Sequence, residues 1–430
     1  MRGFRPIHAL CPFPSAGAIA RIGRCSHSRT GCVRAGTTVF TRLGKIIALA
    51  SLASLLPDVV LADELAQPSF TGPLQANSHP YSFDGGAIGR IYVGGQVSGI
   101  GMLQDNPVSA PHADDAHAIA DISNAQVEVQ TIEGPWQFYL QLGAYSLPTL
   151  GAPYLRANEA VGQYFGPLPV AYLKAVINPE FSVVAGALPT LIGVESNFTF
   201  QNINVERGLL WNQEPDISRG IQLNYTEGAW IASVSFNDGY YSGKYNWISG
   251  SVSYTADPSD SFTVAGGSHL SANGKASTAT PLTQNNSRII DLIYTYSHDT
   301  LSITPYLQHT RVNRAPEIGI DRSANTYGAA TLIKYSFSSR WSLGARAEYL
   351  RSTGGGCGED INCTPTNLLY GTWSSAWSLS LTPTYQKNLF FARCELSYVQ
   401  SHHAEPGAAF GSHGSRDSQA RAIAEIGVLF

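Results

Sequence analysis

Charge is what this chain has least of. Asp, Glu, Lys and Arg make up 13% of its 430 residues, about half the share of an ordinary soluble domain. A large water-facing surface is hard to build from that supply. Long apolar runs are also missing. The longest, Ile46–Leu56, falls well short of the ~20 residues a helix needs to cross a bilayer, which excludes a bundle of spanning helices. No glycine-rich phosphate loop, HExxH or GxSxG occurs. The six cysteines offer no zinc spacing. The reading is therefore no catalytic residues, no metal and no cofactor. Glycine (42) and tyrosine (21), by contrast, are abundant.

The amino-terminal end has its own logic. Arg42 and Lys45 precede the apolar run, and Val60 and Ala62 stand at −3 and −1 of a cut between Ala62 and Asp63. A charged region, an apolar region and small residues at a cleavage site describe a secretory signal peptide. Residues 1–41 are Arg-rich and nearly free of acid. They are read as an upstream extension of the true start rather than a transit peptide. Removing 1–62 takes eight of the 27 basic residues and one of the 31 acidic ones, leaving 19 against 30. That acidic balance argues against nucleic acid as a partner. The organisation expected is a signal segment (1–62), an N-terminal periplasmic segment (63–87) and one domain over 88–430.

That domain reads as strands to its last residue. In AIAEIGVLF, Ala422, Ala424, Ile426, Val428 and Phe430 alternate with Ile423, Glu425, Gly427 and Leu429, a period of two with one face in an apolar medium. Going upstream, connections alternate in length. Tight turns such as QKN (386–388), HD (298–299) and EG (227–228) alternate with long polar or Gly-rich loops. Sixteen strands result, with both ends on the short-turn side, as a closed antiparallel outer-membrane barrel requires. The fold expected is all-β, a transmembrane barrel of about sixteen strands, within fourteen to eighteen. A β-sandwich has no reason to sort its loops so regularly. Alternation alone does not say whether the apolar face meets lipid or a packed interior. The aromatics decide. Trp136, Phe181, Trp230, Phe262, Tyr296, Phe337, Trp341, Tyr385 and Phe390 all lie close to a short turn, which describes an interfacial girdle. Phe430 would close that girdle and serve as the assembly signal.

The longest connection, PTLIGVESNFTFQNINVERGLLWNQEP (189–215), is Asn-rich and carries Glu195, Glu206, Arg207 and Glu214. The stretch Gly193–Tyr225, with GVE, the Asn-rich run, NVERGLLWNQEP and then a Gly-containing strand, resembles the OmpL-like β-barrel porin family, over about residue 88 to the end. The resemblance implies a Gram-negative outer-membrane porin passing small hydrophilic solutes, and a homotrimer. It transfers no catalytic residues. Its surroundings would be outer-membrane lipid and lipopolysaccharide, and its insertion would depend on the barrel-assembly machinery. The 189–215 segment would fold inward as a constriction or, equally, stay outside the pore or form an extra hairpin within the sheet. If inside, Glu195, Asn204, Glu206, Arg207 and Glu214 would line it, facing Lys174, Lys334, Arg346, Glu348, Arg393 and Glu395 on the inward parity of the wall. Three glutamates against one arginine favour cations. An outer-membrane enzyme of lipase or protease type, for which Ser412, His413 and Asp417 are the imaginable set, is the alternative. So is a barrel used as adhesin or anchor.

Cys357 and Cys363, in one external loop, are expected to pair in an oxidising compartment. Cys394 alternates with Phe390, Ala392 and Leu396 and is expected to face lipid. His402, His403 and His413 share a loop with Glu405 and Asp417 and are read as solvated.

Overall fold

The structure, a computed structural model, describes residues 72–430. The signal segment, the Ala62–Asp63 cut and the first part of the 63–87 segment lie outside the described residues. Seventeen strands are formed: β1 (Tyr81–Asp84), β2 (Arg90–Gln104), β3 (Ala118–Gln130), β4 (Trp136–Tyr145), β5 (Val170–Val176), β6 (Phe181–Pro189), β7 (Ile217–Glu227), β8 (Trp230–Asn237), β9 (Trp247–Asp257), β10 (Asp260–His269), β11 (Ser287–His298), β12 (Leu301–Val312), β13 (Ala324–Ser336), β14 (Trp341–Gly354), β15 (Ser375–Lys387), β16 (Phe390–His402) and β17 (Ser418–Leu429). Each strand from β2 to β17 pairs antiparallel with the next. β17 then pairs with β2, from Arg421↔Gln104 to Leu429↔Gln96, and closes a sixteen-stranded barrel. The strand outside the sequence reading is β1, which pairs with the start of β2.

Local chemistry explains the tight turns. Gly228, Asp299 and Asn388 follow or lie between paired strands with φ of 56°, 49° and 53°. Left-handed residues match the twist of two-residue hairpins, and Gly, Asp and Asn tolerate that region best.

The outer face is apolar over its whole circumference. Val97, Leu142, Leu173, Ile221, Val234, Val264, Leu307, Leu379, Leu396 and Ile426 are all exposed, far more apolar surface than a water-soluble monomer presents. Trp230 and Trp341 keep 50% and 52% of their surface exposed. Their rings meet Tyr254 and Tyr385 across strands at 4.6 and 4.9 Å, and Phe262 meets Tyr294 at 5.0 Å. Cross-strand aromatic pairs at one level support the sheet and form the girdle together. Cys394 faces outward, and Cys357 and Cys363 are disulfide-bonded with Cα atoms 5.7 Å apart.

The inner face carries Gln96, Gln126, Arg346, Glu348, Arg393, Glu395, Arg421 and Glu425, all buried. What buries them is the chain between β6 and β7.

Candidate functional site

Residues 190–216 leave the end of β6 and turn into the lumen. Thr190 N–H donates to the Asp216 carbonyl at 3.0 Å, so the segment starts and finishes at one point of the wall. Inside, two short helical turns, Thr199–Gln201 and Leu210–Gln213, are anchored by apolar side chains. Phe198 and Phe200 pack with Tyr145, Phe165, Val170, Phe391 and Leu429. Val205 packs with Ile100, Met102 and Ile423. Ile203 and Leu210 pack with Tyr306, Leu332 and Leu350. The wall is thinned where they approach: a Cβ on Gly344 would lie 2.7 Å from Ile203, and one on Gly328 2.9 Å from Leu210.

The charged wall residues tie the segment's backbone. Arg346 pairs with Glu195 at 2.6 Å and with Glu348 at 3.2 Å, and donates to the Glu206 carbonyl at 2.6 Å. Glu348 accepts from the N–H groups of Leu209 (2.9 Å) and Leu210 (3.2 Å). Glu195 accepts from Gly208 N–H at 2.7 Å. A Cβ at Gly208 would fall 2.2 Å from the Glu348 carboxylate, so only glycine lets the backbone come this near. Glu395 accepts from Val205 N–H, Glu206 N–H and the Thr382 hydroxyl, while Asn204 donates to Thr382 at 2.7 Å. Arg393 pairs with Glu425 at 2.5 Å and donates to the Asn202 and Thr199 carbonyls at 3.0 and 2.8 Å. Arg421 pairs with Glu206 at 2.6 Å. Each charge is thus paired or multiply hydrogen-bonded, the condition for burying it at tolerable cost.

Of the residues singled out from the sequence, Glu195, Asn204, Glu206, Arg207 and Glu214 lie in the inner segment, and Arg346, Glu348, Arg393 and Glu395 touch it. Lys174 and Lys334 are inward-facing but half-buried and form no ion pair among the described residues. Sequence reasoning passed over Arg421 and Glu425, although they share the inward parity of the last strand. It also read 189–215 as polar, missing the apolar anchors between its amides.

Glu214 accepts from Gln308 at 2.7 Å. Its other oxygen, and one oxygen of the nearby buried Asp291, have no partner among the described residues. Burial, and then the Asp291 carboxyl, push Glu214 well above the usual carboxylate range. Burial also raises Glu195, against the pull of Arg346. Enclosure pushes Asp216 up to about 7, and Arg207 works the other way.

Two cavities flank the segment on the side of β4–β7. An outer one of about 360 Å³ is lined by Thr149, Tyr164, Phe165, Trp211, Asp216 and Tyr240 among others. An inner one of about 50 Å³ is lined by Gln141, Val170, Thr190, Asn197 and Gln201 among others. On the wall beyond, Ser182, Gln222, Asn224, Ser233, Ser251 and Ser253 remain only half-buried, whereas the inward face of β14–β17 is sealed. From the opposite end, residue Gly72 donates to the Gln201 carbonyl at 2.9 Å, and Leu74 packs beneath Phe198 and Phe200.

Ser412, His413 and Asp417 lie exposed in one loop, and no hydrogen bond joins any two of them among the described residues. No group of three or more His, Cys, Asp or Glu that could hold a metal occurs among the described residues.

Comparison with known proteins gives three kinds of result. A family model described as "Putative beta-barrel porin-2, OmpL-like" matches residues 90–430. No curated protein matches the chain in sequence. Among solved structures, the anion-selective porin from Comamonas acidovorans aligns at 14% identity and TM-score 0.52, covering 79% of this chain and 99% of that one. The outer-membrane channel DcaP of Acinetobacter baumannii aligns at 11% and 0.52, covering 81% and 99%. In-vitro folded OmpT, an outer-membrane protein of Vibrio cholerae, aligns at 10% and 0.51, covering 80% and 98%. At such identities the likeness is one of fold.

Proposed function

We propose a narrow, off-centre diffusion channel, and the premise is that this chain belongs to the OmpL-like β-barrel porin-2 family. It is a porin of the bacterial outer membrane, in contact with membrane lipid and with the solutes it passes. The finer reading is that the 190–216 segment is its constriction. Small hydrophilic solutes cross beside the β4–β10 wall, past the segment, and the protein is a channel and not an enzyme. One observation carries this. The segment seals the inward faces of β14–β17, while the Ser- and Asn-rich faces of β6–β10 stay half-open. A sixteen-stranded barrel is wide enough to hold both a folded segment and an aqueous passage.

A homotrimeric state, lipopolysaccharide at the outer rim and insertion by the barrel-assembly machinery belong to the same proposal. The outward-facing Phe430 on the closing seam supports the last. A second reading, a barrel serving as adhesin or anchor, is favoured by how much of the lumen the segment fills. Planar-bilayer conductance of the purified, folded protein, with swelling of proteoliposomes in sugars of graded size, tests the choice. Discrete conductance steps and a size cut-off below that of disaccharides are expected. A protein that is folded, inserted and silent would favour the anchor.

A further inference from the structure

Among the described residues four arginines are buried: Arg207, Arg346, Arg393 and Arg421. Three of them have a carboxylate within ion-pair distance. Arg207 has none among the described residues. Its guanidinium donates to the Asn197 carbonyl, reaches the Thr149 hydroxyl at 3.4 Å and stands 5.7 Å from the Trp211 ring centroid. Its Nε has no partner among the described residues. Burying a cation without a direct ion-pair partner is costly, and the cost is tolerated where the charge has work to do.

Its position says what work. Asn197 lines the inner cavity, and Thr149 and Trp211 line the outer one. The Arg207 side chain lies behind these lining residues, fully buried, and acts on both cavities through its field. Its backbone is fixed there, since Arg207 N–H donates to the Pro148 carbonyl at 3.1 Å and its carbonyl accepts from Leu150 N–H at 2.9 Å. The composition of the segment points to cations, but Glu195 and Glu206 are each held by another arginine, and Arg207 has only the more distant Asp216 as its chief counter-charge.

Resting on the channel reading above, we propose that Arg207 is the selectivity residue of the passage, a buried cation that favours small anions, above all carboxylates carried on a flat apolar body. The low-dielectric surroundings concentrate its field. Tyr164, Phe165, Trp211 and Tyr240 give the outer cavity the aromatic faces on which such a body rests. The carboxyls sharing that cavity do not cancel the charge at mildly acidic pH. Asp216 titrates at about 7 and Glu214 well above the usual range.

The experiment is reversal potential in a potassium chloride gradient at pH 6, on folded protein verified by its heat-dependent gel migration. Wild type is expected to prefer chloride. Arg207→Gln is expected to lower the chloride-to-potassium ratio about threefold or more at low salt. Arg207→Lys should retain most of the preference, which separates charge from packing. Benzoate on the outer side should reduce wild-type chloride current and affect Arg207→Gln much less. A conducting Arg207→Gln channel with an unchanged ratio overturns the role of Arg207 and leaves the channel standing. A shifted ratio with benzoate inert in both proteins overturns the aromatic-carboxylate class. Absence of conductance in wild type overturns the channel reading and this inference with it.

Discussion

At the scale of the residue, Arg346 shows how the lumen is held. It sits between Glu195 and Glu348 and touches the segment's backbone as well. Arg346→Met would leave two buried carboxylates facing each other, a loss of about 3–5 kcal/mol. The expected outcome is a clear drop in the temperature at which the detergent-solubilised barrel unfolds, partly restored in the double variant with Glu195→Gln. Asp216 makes a different prediction. Facing it or its partner are Arg207, Glu195, Glu206, Glu214 and Tyr164. Its carboxyl is raised to about 7, above its value in the unfolded chain, so the folded state holds the proton that the unfolded state has released. Its contribution to stability therefore falls as pH rises from about 4 toward 7. Ionisation also sets a negative charge beside Arg207, so chloride preference should decline between pH 6 and 8. Asp216→Asn should abolish that decline; an inflection that persists in the variant would assign it to another group.

At the scale of the element, the inner segment is a unit with its two ends hydrogen-bonded to each other. It can therefore be replaced by a bridge of a few glycines between Thr190 and Asp216 without moving β6 or β7. Conductance is expected to rise several-fold, toward that of an unobstructed sixteen-stranded pore, with selectivity lost. An unchanged conductance would show that current does not pass the segment. The 355–374 loop offers a second test at this scale. Cys357 and Cys363 should resist thiol reagents until reduced, with labelling of both before reduction counting against the bond. The strands were legible because a period of two, two-residue turns and aromatic placement are local signals, readable from Trp341 to Tyr385 without knowing what lies opposite. The segment's interior was not. Phe198, Phe200, Val205 and Leu210 follow no period, and their partners lie far along the chain. Arg346 meets Glu206 across 140 residues, and Thr199 meets Glu425 across 226. The inward parity placed Arg346, Glu348, Arg393 and Glu395 in the lumen, but not which partner each would take.

At the scale of the whole molecule, the barrel exists only once β17 lies against β2. Phe430 completes that seam: its N–H donates to the Gly95 carbonyl at 2.9 Å, and its carbonyl accepts from Gly95 N–H at 2.8 Å. Its ring faces outward with Val428 and Ile426. Deleting Phe430 removes both bonds and the outermost apolar anchor, and the amount of folded protein in the outer membrane should fall sharply. Normal levels of the truncated chain would deny the terminal residue a part in assembly.

The ties between wall and segment also have a place in time. Arg346, Glu348, Arg393, Glu395, Arg421 and Glu425 all come later in the chain than the segment they hold. While the first half of the barrel is being laid down, residues 190–216 have only part of their fastening: Phe198 and Phe200 can meet Tyr145, Phe165 and Val170, but the charged ties of the later strands are still missing. The furnishing of the lumen is therefore finished only as the last strands zip. Until then, the nascent protein should be open to proteolytic cutting between Ile192 and Gln213, and afterwards it should be closed to it. Protection of that stretch is thus a clock for the completion of the barrel.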